Sequence, residues 1–414
     1  MNYKQITNTI FALHANVSNL QYFEGFWPIP YGVSINCYLI RGEKNALIDL
    51  YGNFDACHEI IHKQLEALNV PLHKIDYLII NHLESDHTGF IQNFRKENPN
   101  AQIVSTAKGI DLLINFCKLD ETNLRIVKTG DSLDLGNNLT LQFFETPFIH
   151  WPETMMTYCP QHKILFSCDA FGGFGKLVED EAENLIFDDE YSPTALTFYK
   201  HEILRYYATI VASFSQFVQK ALVQLQNLPI QVVAPSHGII WRKNPQTIIE
   251  YYQELSSYNT TGPLKNEICV ICGSMYGNTE EGVQEMLKVL HEEKIPYTSI
   301  VLPENDISRI LAVAYAAKGL IIAMPTYEYK MFPPMAYILT LFRYKHFKNK
   351  IALRIGSKGW SGGAEKDYQE TIKTLNWKQL ESYEWQGVLS DSDKENLRKK
   401  TLELVKEIKN SSIK

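Results

Sequence analysis

The chain has no excess of positive charge. Its 40 Lys and Arg stand against 47 Asp and Glu, a formal net charge of −7. With no cation surplus to meet phosphates, the composition argues against a nucleic-acid binder or an anionic-membrane binder. Long apolar runs are also missing. The longest, "ILAVAYAAKGLIIAM" at 310–324, is interrupted by Lys318 and Gly319. It falls short of the ~18–20 apolar residues that a spanning helix needs. The start, "MNYKQITNTIFALHANV", lacks the basic and then apolar regions of a signal peptide, so no secretion signal and no membrane attachment is expected. Cysteine is scarce and odd in number, seven in 414 residues. That is poor material for a disulfide framework and suits a reducing cytoplasm. Cys269 and Cys272 form a C-x-x-C, but it lies inside an apolar strand with no second pair, so the two read as small core residues. No G-x-G-x-x-G follows a strand and no Gly-Lys-Ser/Thr ends a glycine loop. These absences argue against a dinucleotide fingerprint and a nucleotide-hydrolysing phosphate loop.

What remains is a globular composition, 45% hydrophobic and 21% charged, in a chain long enough for two domains. Up to about residue 252, short strands alternate with helices. Candidate strands are "CYLIRG", "NALIDLY", "IDYLIIN", "QIVST", "LTLQFFETPF", "KILFSCDA" and "IQVVAPS"; helices are expected over 56–68 and as one run across 195–226. The polar segment 256–266, "SSYNTTGPLKN", reads as a linker. From 267 to 414 the pattern becomes repeated βαβ: "EICVIC", "TEEGVQEMLKVLHEE", "ISRILAVAYAAK", "GLIIAMP", "KIALRIG". That pattern predicts a doubly wound parallel sheet. The expected division is therefore 1–255, linker 256–266, and 267–414.

The densest chemistry lies in "NHLESDHTGF" (81–90), directly after an apolar run. In an extended stretch, His82, Glu84 and Asp86 point the same way, because side chains alternate with period two; His87 adds a ligand on the turn. Three further candidates follow strands: His150 after "ETPFI", Asp169 after "KILFSC" and His237 after "IQVVAPS". A lone histidine after a strand is usually a capped or solvated loop residue. Four imidazoles and three carboxylates at strand ends suffice for two metal ions with one bridging carboxylate.

In the second half, three loops follow strands, where α/β sheets bind ligands. The first, Ser274, Met275, Tyr276, Gly277, Asn278 and Thr279, opens a helix, and its amides and side-chain donors suit an anion. The second holds Pro325, Thr326, Tyr327 and Glu328. The third holds Ser357, Lys358, Gly359, Trp360, Ser361 and Gly362. Tyr327 and Trp360 are able to lie on a flat ring. The three resemble a flavodoxin phosphate loop with its two isoalloxazine loops, which implies FMN.

The H-x-E-x-D-H run, with His150, Asp169 and the "PSHG" of His237, resembles the metallo-β-lactamase fold. The hydrolases of that superfamily usually carry a histidine where this chain has Glu84. The exchange makes the site harder and more anionic, favouring iron or manganese over a hydrolytic zinc pair. With "HWPETMMTY" (150–158) and "SHGIIWR" (236–242), nearly the whole chain resembles the flavodiiron proteins. The resemblance implies a metallo-β-lactamase-like αβ/βα sandwich (1–255) followed by a flavodoxin-like FMN domain (267–414). It implies two non-haem irons per chain: His82, Glu84 and His150 on one, Asp86, His87 and His237 on the other, and Asp169 between them. In some members water replaces the residue matching His87. No catalytic residue beyond the metal ligands is expected. The implied activity is reduction of dioxygen to water, of nitric oxide to nitrous oxide, or both. Electrons would come from a separate rubredoxin-like donor or reductase, since no C-x-x-C pairs follow residue 364. A head-to-tail homodimer, or a tetramer, is expected. The rival readings are a dinuclear-zinc hydrolase with an incidental flavodoxin domain, a non-catalytic sensor of dioxygen or nitric oxide, and a plain electron carrier. Metal content separates the first from the iron enzyme.

Overall fold

The computed structural model describes residues 3–17, 20–54, 56–179, 184–304 and 306–411. The chain divides into two compact units, one of 1–206 with 216–253, the other of 207–215 with 254–414.

The first unit holds two larger sheets. The seven-stranded one runs Tyr3–Gln5, Ile10–Val17, Val33–Arg41, Asn45–Ile48, Tyr77–Ile79, Gln102–Ser105, Leu124–Ile126 in space. Its first four strands are mutually antiparallel and the rest are parallel from Asn45–Ile48 onward. Parallel neighbours need crossovers, supplied by helices Cys57–Ala67, Ile91–Glu97 and Ala107–Asn115. The five-stranded sheet orders Ser132–Gly136, Leu139–Glu145, Met155–Cys159, Ile164–Cys168 and Val232–Pro235. Only its last pair is parallel. Leu139–Glu145, Ile164–Cys168 and Val232–Pro235 thus run the same way, and their carboxyl ends share one edge. The two sheets meet face to face. The Tyr38 ring lies 5.0 Å from that of Phe166, and its hydroxyl donates to the Pro235 carbonyl at 2.6 Å. This is the expected sandwich.

The single helix expected across 195–226 is instead broken. Pro193–Tyr206 is α-helical, Tyr207–Val211 widens to a π turn, Ala212–Phe214 tightens to 3₁₀, and Ser215–Leu225 resumes. The Ala212 carbonyl, which a continuous helix would give to residue 216, accepts the Ser215 amide in a 3₁₀ bond, together with Ser215 Oγ and Asn259 Nδ2. Side chains thus compete for the helix's own acceptor, and the stretch between belongs to the second unit. Of the segment 256–266, the first two residues complete helix Pro245–Ser257, and Tyr258 is buried with its hydroxyl on Glu254.

The second unit's main sheet orders Tyr297–Leu302, Ile268–Gly273, Gly319–Ala323 and Ile351–Lys358. Both Lys378–Gln379 and Tyr383–Gln386 pair with the last of these. All pairs are parallel. Counted along the chain the order is 2-1-3-4-5, the flavodoxin-like one, whose switch point lies between Ile268–Gly273 and Gly319–Ala323. Cys269 and Cys272 are buried in the central strand, and burial pushes both thiols up to about 12. Among the described residues no helix is long and apolar enough to cross a membrane.

Helix Asn278–Glu292 packs on this sheet at Gly282. A Cβ there would come within 2.5 Å of Trp385, itself buried in the core. Gly→Ala in a helix interior normally stabilises by about 1 kcal/mol. Here the rigid indole reverses the sign. Gly282→Ala is expected to destabilise by about 1–3 kcal/mol, seen as a lower urea midpoint followed by far-ultraviolet circular dichroism; a raised midpoint would show the indole free to yield.

Candidate metal centre

His82 and Glu84 follow the strand Tyr77–Ile79. The extended run expected through Asp86 ends at Glu84 (φ −62°, ψ 154°), and Ser85–Thr88 is a helical turn. Thr88 closes it, its hydroxyl donating to the carbonyls of Leu83 and Glu84. In a strand, Asp86 and His87 would point to opposite faces; the turn brings both to one cluster. Asp169 is aimed by a break in register between Phe166 and Cys168, with Cys168 in the left-handed region at φ 54°, a bulge of the sort that re-aims a side chain.

These residues form two groups. His82, Glu84, His150 and Asp169 present donor atoms within 4.8 Å of one another, as do Asp86, His87 and His237. Asp169 touches both. Its Oδ2 lies 3.4 Å from His82 Nε2 and 3.3 Å from His150 Nε2; its Oδ1 lies 3.0 Å from His87 Nε2 and 3.3 Å from His237 Nε2. Glu84 Oε2 is 2.9 Å from His150 Nε2 and 3.5 Å from His82 Nε2. Asp86 is 3.4 Å from His87 Nε2 and 3.2 Å from His237 Nε2. Such spacings are those of neighbouring ligands. A nitrogen and an oxygen each about 2.1 Å from one ion at right angles lie about 3 Å apart.

His150 Nε2 and Glu84 Oε2 form a hydrogen bond, but most of the other atoms do not satisfy each other. His82 Nε2, His87 Nε2, His237 Nε2, both Asp86 oxygens and Asp169 Oδ1 are buried without a hydrogen-bond partner. Buried polar atoms are rarely left so, and a cation at each cluster would satisfy them. The donor set fits metal.

The imidazoles are also oriented from behind. His82 Nδ1 is 2.7 Å from Glu153 Oε1, which accepts the Leu83 amide as well. His237 Nδ1 is 2.9 Å from the Ser34 carbonyl. A carbonyl can only accept, so Nδ1 of His237 carries a proton, and Nε2 is the atom left to face a metal once its own proton is displaced. Burial opposes charge on His150, but Asp169 and Glu84 hold it up to about 9. Against the same burial, Asp169 and Asp86 hold His237 up to about 10. Burial alone would raise Glu84; His150 and His82 bring it down to about 2. In the absence of an ion the imidazoles thus retain protons that a metal must displace. Trp151 stands edge-on to His82 at 5.2 Å, and Phe23 and Tyr206 flank His237 at 5.7 and 5.8 Å. Glu84 and Trp151 are partly exposed and mark the open side.

All seven residues singled out in the sequence come together. Glu153, the Ser34 carbonyl and Asp49, which accepts the Asn81 amide at 2.8 Å, escaped that reading. Glu153 had a usable signal: an acid three residues beyond His150, ahead of a strand.

In the second unit the three loops also meet. Gly277, at φ 90°, caps helix Asn278–Glu292, and Ser274 Oγ accepts its amide at 3.0 Å. Buried Thr279 lies with its Oγ1 2.9 Å from Ser357 Oγ, joining the first loop to the third. Thr326–Tyr327 pairs with Lys330–Met331 through a two-residue turn with Glu328 at φ 47° and Tyr329 at φ 65°, the sense that suits a tight hairpin. Pro325 is buried below it, and the Thr326 hydroxyl is buried without a partner. Trp360 Nε1 donates to Tyr329 Oη at 3.3 Å, so Tyr329, absent from the sequence reading, belongs to this rim. Met275, Glu328, Gly359 and Ser361 are exposed, while Lys358 and Gly362 are half-buried. Tyr276 is 92% exposed and Trp360 82%, which leaves two large aromatic faces open beside the buried hydroxyls.

Residues 33–238 match the family model described as ODP family beta lactamase. The anaerobic nitric oxide reductase flavorubredoxin of Salmonella arizonae is 34% identical over 339 residues, 80% of this chain and 67% of that protein. Its namesake from Vibrio vulnificus is 34% identical over 337 residues, 80% and 65% of the two chains. The chain spans about two thirds of the length of these relatives. Among solved structures, the flavodiiron protein of Giardia intestinalis superposes with a TM-score of 0.90 at 25% identity, covering 99% of this chain and 97% of that one. A flavoprotein of Thermotoga maritima gives 0.86 at 28%, covering 96% of each. Fold and site together define a metallo-β-lactamase-like metal domain joined to a flavodoxin-like domain. The chain belongs to the flavodiiron proteins.

Outer hydrogen-bond partners of ligating histidines typically contribute 10–100-fold to metal affinity. Glu153→Gln keeps the side-chain volume but weakens the acceptor for His82. It is expected to speed loss of bound metal to a chelator by about 10-fold or more, read by absorbance of the metal–chelate complex; loss at the native rate would show that Glu153 only packs.

Proposed function

We propose that the chain is a flavodiiron oxidoreductase that reduces dioxygen to water, nitric oxide to nitrous oxide, or both, at a non-haem iron pair fed by FMN. The observation that carries the reading is Asp169, one oxygen toward each of two ligand clusters. In this reading His82, Glu84 and His150 would hold one iron, Asp86, His87 and His237 the second, and Asp169 would contribute to both. When bound, the iron pair and FMN supply two electrons each, enough for one dioxygen to become two waters with four protons, or for two pairs of nitric oxide each to become nitrous oxide and water with two protons.

The chain's own residues do the rest. Three carboxylates among seven donors make the site harder than a histidine-rich hydrolytic zinc centre, which favours iron. Glu153 and the Ser34 carbonyl keep Nε2 of His82 and His237 turned inward. Phe23, Trp151 and Tyr206 wall the clusters with rings and exclude bulk water. Burial keeps the Tyr206 phenol neutral, with Asp169 adding to the effect. A small uncharged gas suits such an enclosure, and the relatives' names agree with nitric oxide as one substrate. In the second unit, Ser274, Asn278 and Thr279 would hold the FMN phosphate at the helix start, and Tyr327 and Trp360 would flank its ring. Electrons would reach FMN from a rubredoxin-like protein or a reductase, in a reducing cytoplasm.

Oxygen-electrode and nitric-oxide-electrode traces with chemically reduced, FMN-loaded protein test the reading. Native protein should consume one or both gases and carry about two irons per chain. Asp169→Asn should lose both irons together and reduce gas consumption by more than the about 10–100-fold that an outer partner would cost. Zinc content, hydrolysis and no gas consumption would establish the hydrolase instead.

The arrangement proposed is a head-to-tail homodimer in which the flavin of one subunit serves the irons of the other, the two-fold symmetry being the commonest among oligomers. Two inactive variants test it: His82→Ala, and Asn278→Ala with Thr279→Val and Trp360→Ala. After confirmed subunit exchange of an equal mixture, roughly a quarter of native activity should return, since half the dimers are mixed and each has one intact pair. Exchange without recovery would refute the trans arrangement.

A further inference from the structure

A second group of metal-binding side chains lies on the surface of the first unit and shares no residue with the buried centre. Helix Cys57–Ala67 carries His58 and His62 one turn apart, on one face. Glu97 ends helix Ile91–Glu97 and reaches across to them. His58 Nε2 and His62 Nε2 are 3.0 Å apart. Glu97 places Oε1 3.3 Å from His58 Nε2 and Oε2 3.2 Å from His62 Nε2. Phe90 packs on His58, ring centroids 4.4 Å apart, and flanks His62 at 5.9 Å.

Protons cannot satisfy this triangle while Glu97 is ionised. For both rings to donate to the carboxylate, each Nε2 must carry hydrogen, and the two N–H groups then collide at 3.0 Å. If one ring accepts from the other, its lone pair faces the carboxylate oxygen. A cation resolves all three contacts at once, and the separations match ligands about 2.1 Å from a common ion.

We propose that His58, His62 and Glu97 form a peripheral site for a borderline divalent transition ion, zinc being the type, which ties helix Cys57–Ala67 to helix Ile91–Glu97. Two imidazoles and one carboxylate suit zinc over calcium or magnesium, which prefer all-oxygen shells. His58 and Glu97 are exposed enough for water to complete the coordination.

The test uses iron-loaded, FMN-loaded protein titrated with zinc ions against a zinc-indicator dye, with released iron measured in parallel. Native protein should take up one zinc per chain without releasing iron. His62→Gln should weaken that binding by at least about 10-fold, since losing even an outer partner typically costs that much. Glu97→Gln should weaken it by a smaller factor. Both variants should retain native iron content, which shows that they fold. Zinc taken up only as iron leaves, or bound equally well by the native protein and His62→Gln, would overturn the proposal, as would no uptake at all.

Discussion

The carboxylate of Asp169 governs the first unit. It is buried among four imidazoles, with one oxygen facing each ligand cluster. Bringing ionisable groups together in a low-dielectric interior is costly unless each is paired with good geometry. Here the pairs are close, yet several of the atoms have no hydrogen-bond partner. The surroundings hold that arrangement in place. The bulge at Cys168 aims Asp169, the turn at Ser85–Thr88 turns Asp86 and His87 together, and Glu153 and the Ser34 carbonyl fix two rings. The sandwich supplies the frame, because three strands of one sheet end along a single edge. Sites built on strand ends hold geometry better than sites on free loops.

The loop cluster of the second unit follows a different logic. Its hydroxyls at Thr279, Ser357 and Thr326 are buried, while Tyr276 and Trp360 are open to solvent. A metal ion is small and needs a closed, dry cage. A flat cofactor is large and itself covers the aromatic faces it lies against, so a site for one carries exposed rings beside a buried anchor. The parallel sheet explains the location, since its strand order reverses beside the first and second loops.

The surface triad shows the same chemistry under weaker constraint. Two histidines one helical turn apart are common and ordinarily solvated. What distinguishes His58 and His62 is Glu97, brought from another helix to within 3.3 Å of both. That meeting depends on how two crossovers of the sheet pack beside each other, and nothing in the local sequence announces it.

The sequence by itself determined what is local. A run of His82, Glu84, Asp86 and His87 after an apolar strand declares a ligand cluster, because ligands within six residues need no fold to bring them near. The βαβ rhythm after residue 267 likewise determined a parallel sheet, since hydrophobic period and connection length reside in the chain. Tertiary structure alone decided the rest. It decided how Asp86 joins His87 and His237, a grouping the family resemblance implied: through a helical turn where an extended run was expected. It placed Glu153 behind His82, a residue 71 positions away. It broke the helix expected across 195–226, because Asn259 and Ser215 take a carbonyl that no periodicity shows to be in demand. Periodicity records which face of an element is apolar. It carries no record of which distant donor will arrive at a given acceptor, and that arrival converts separate strand ends into one site.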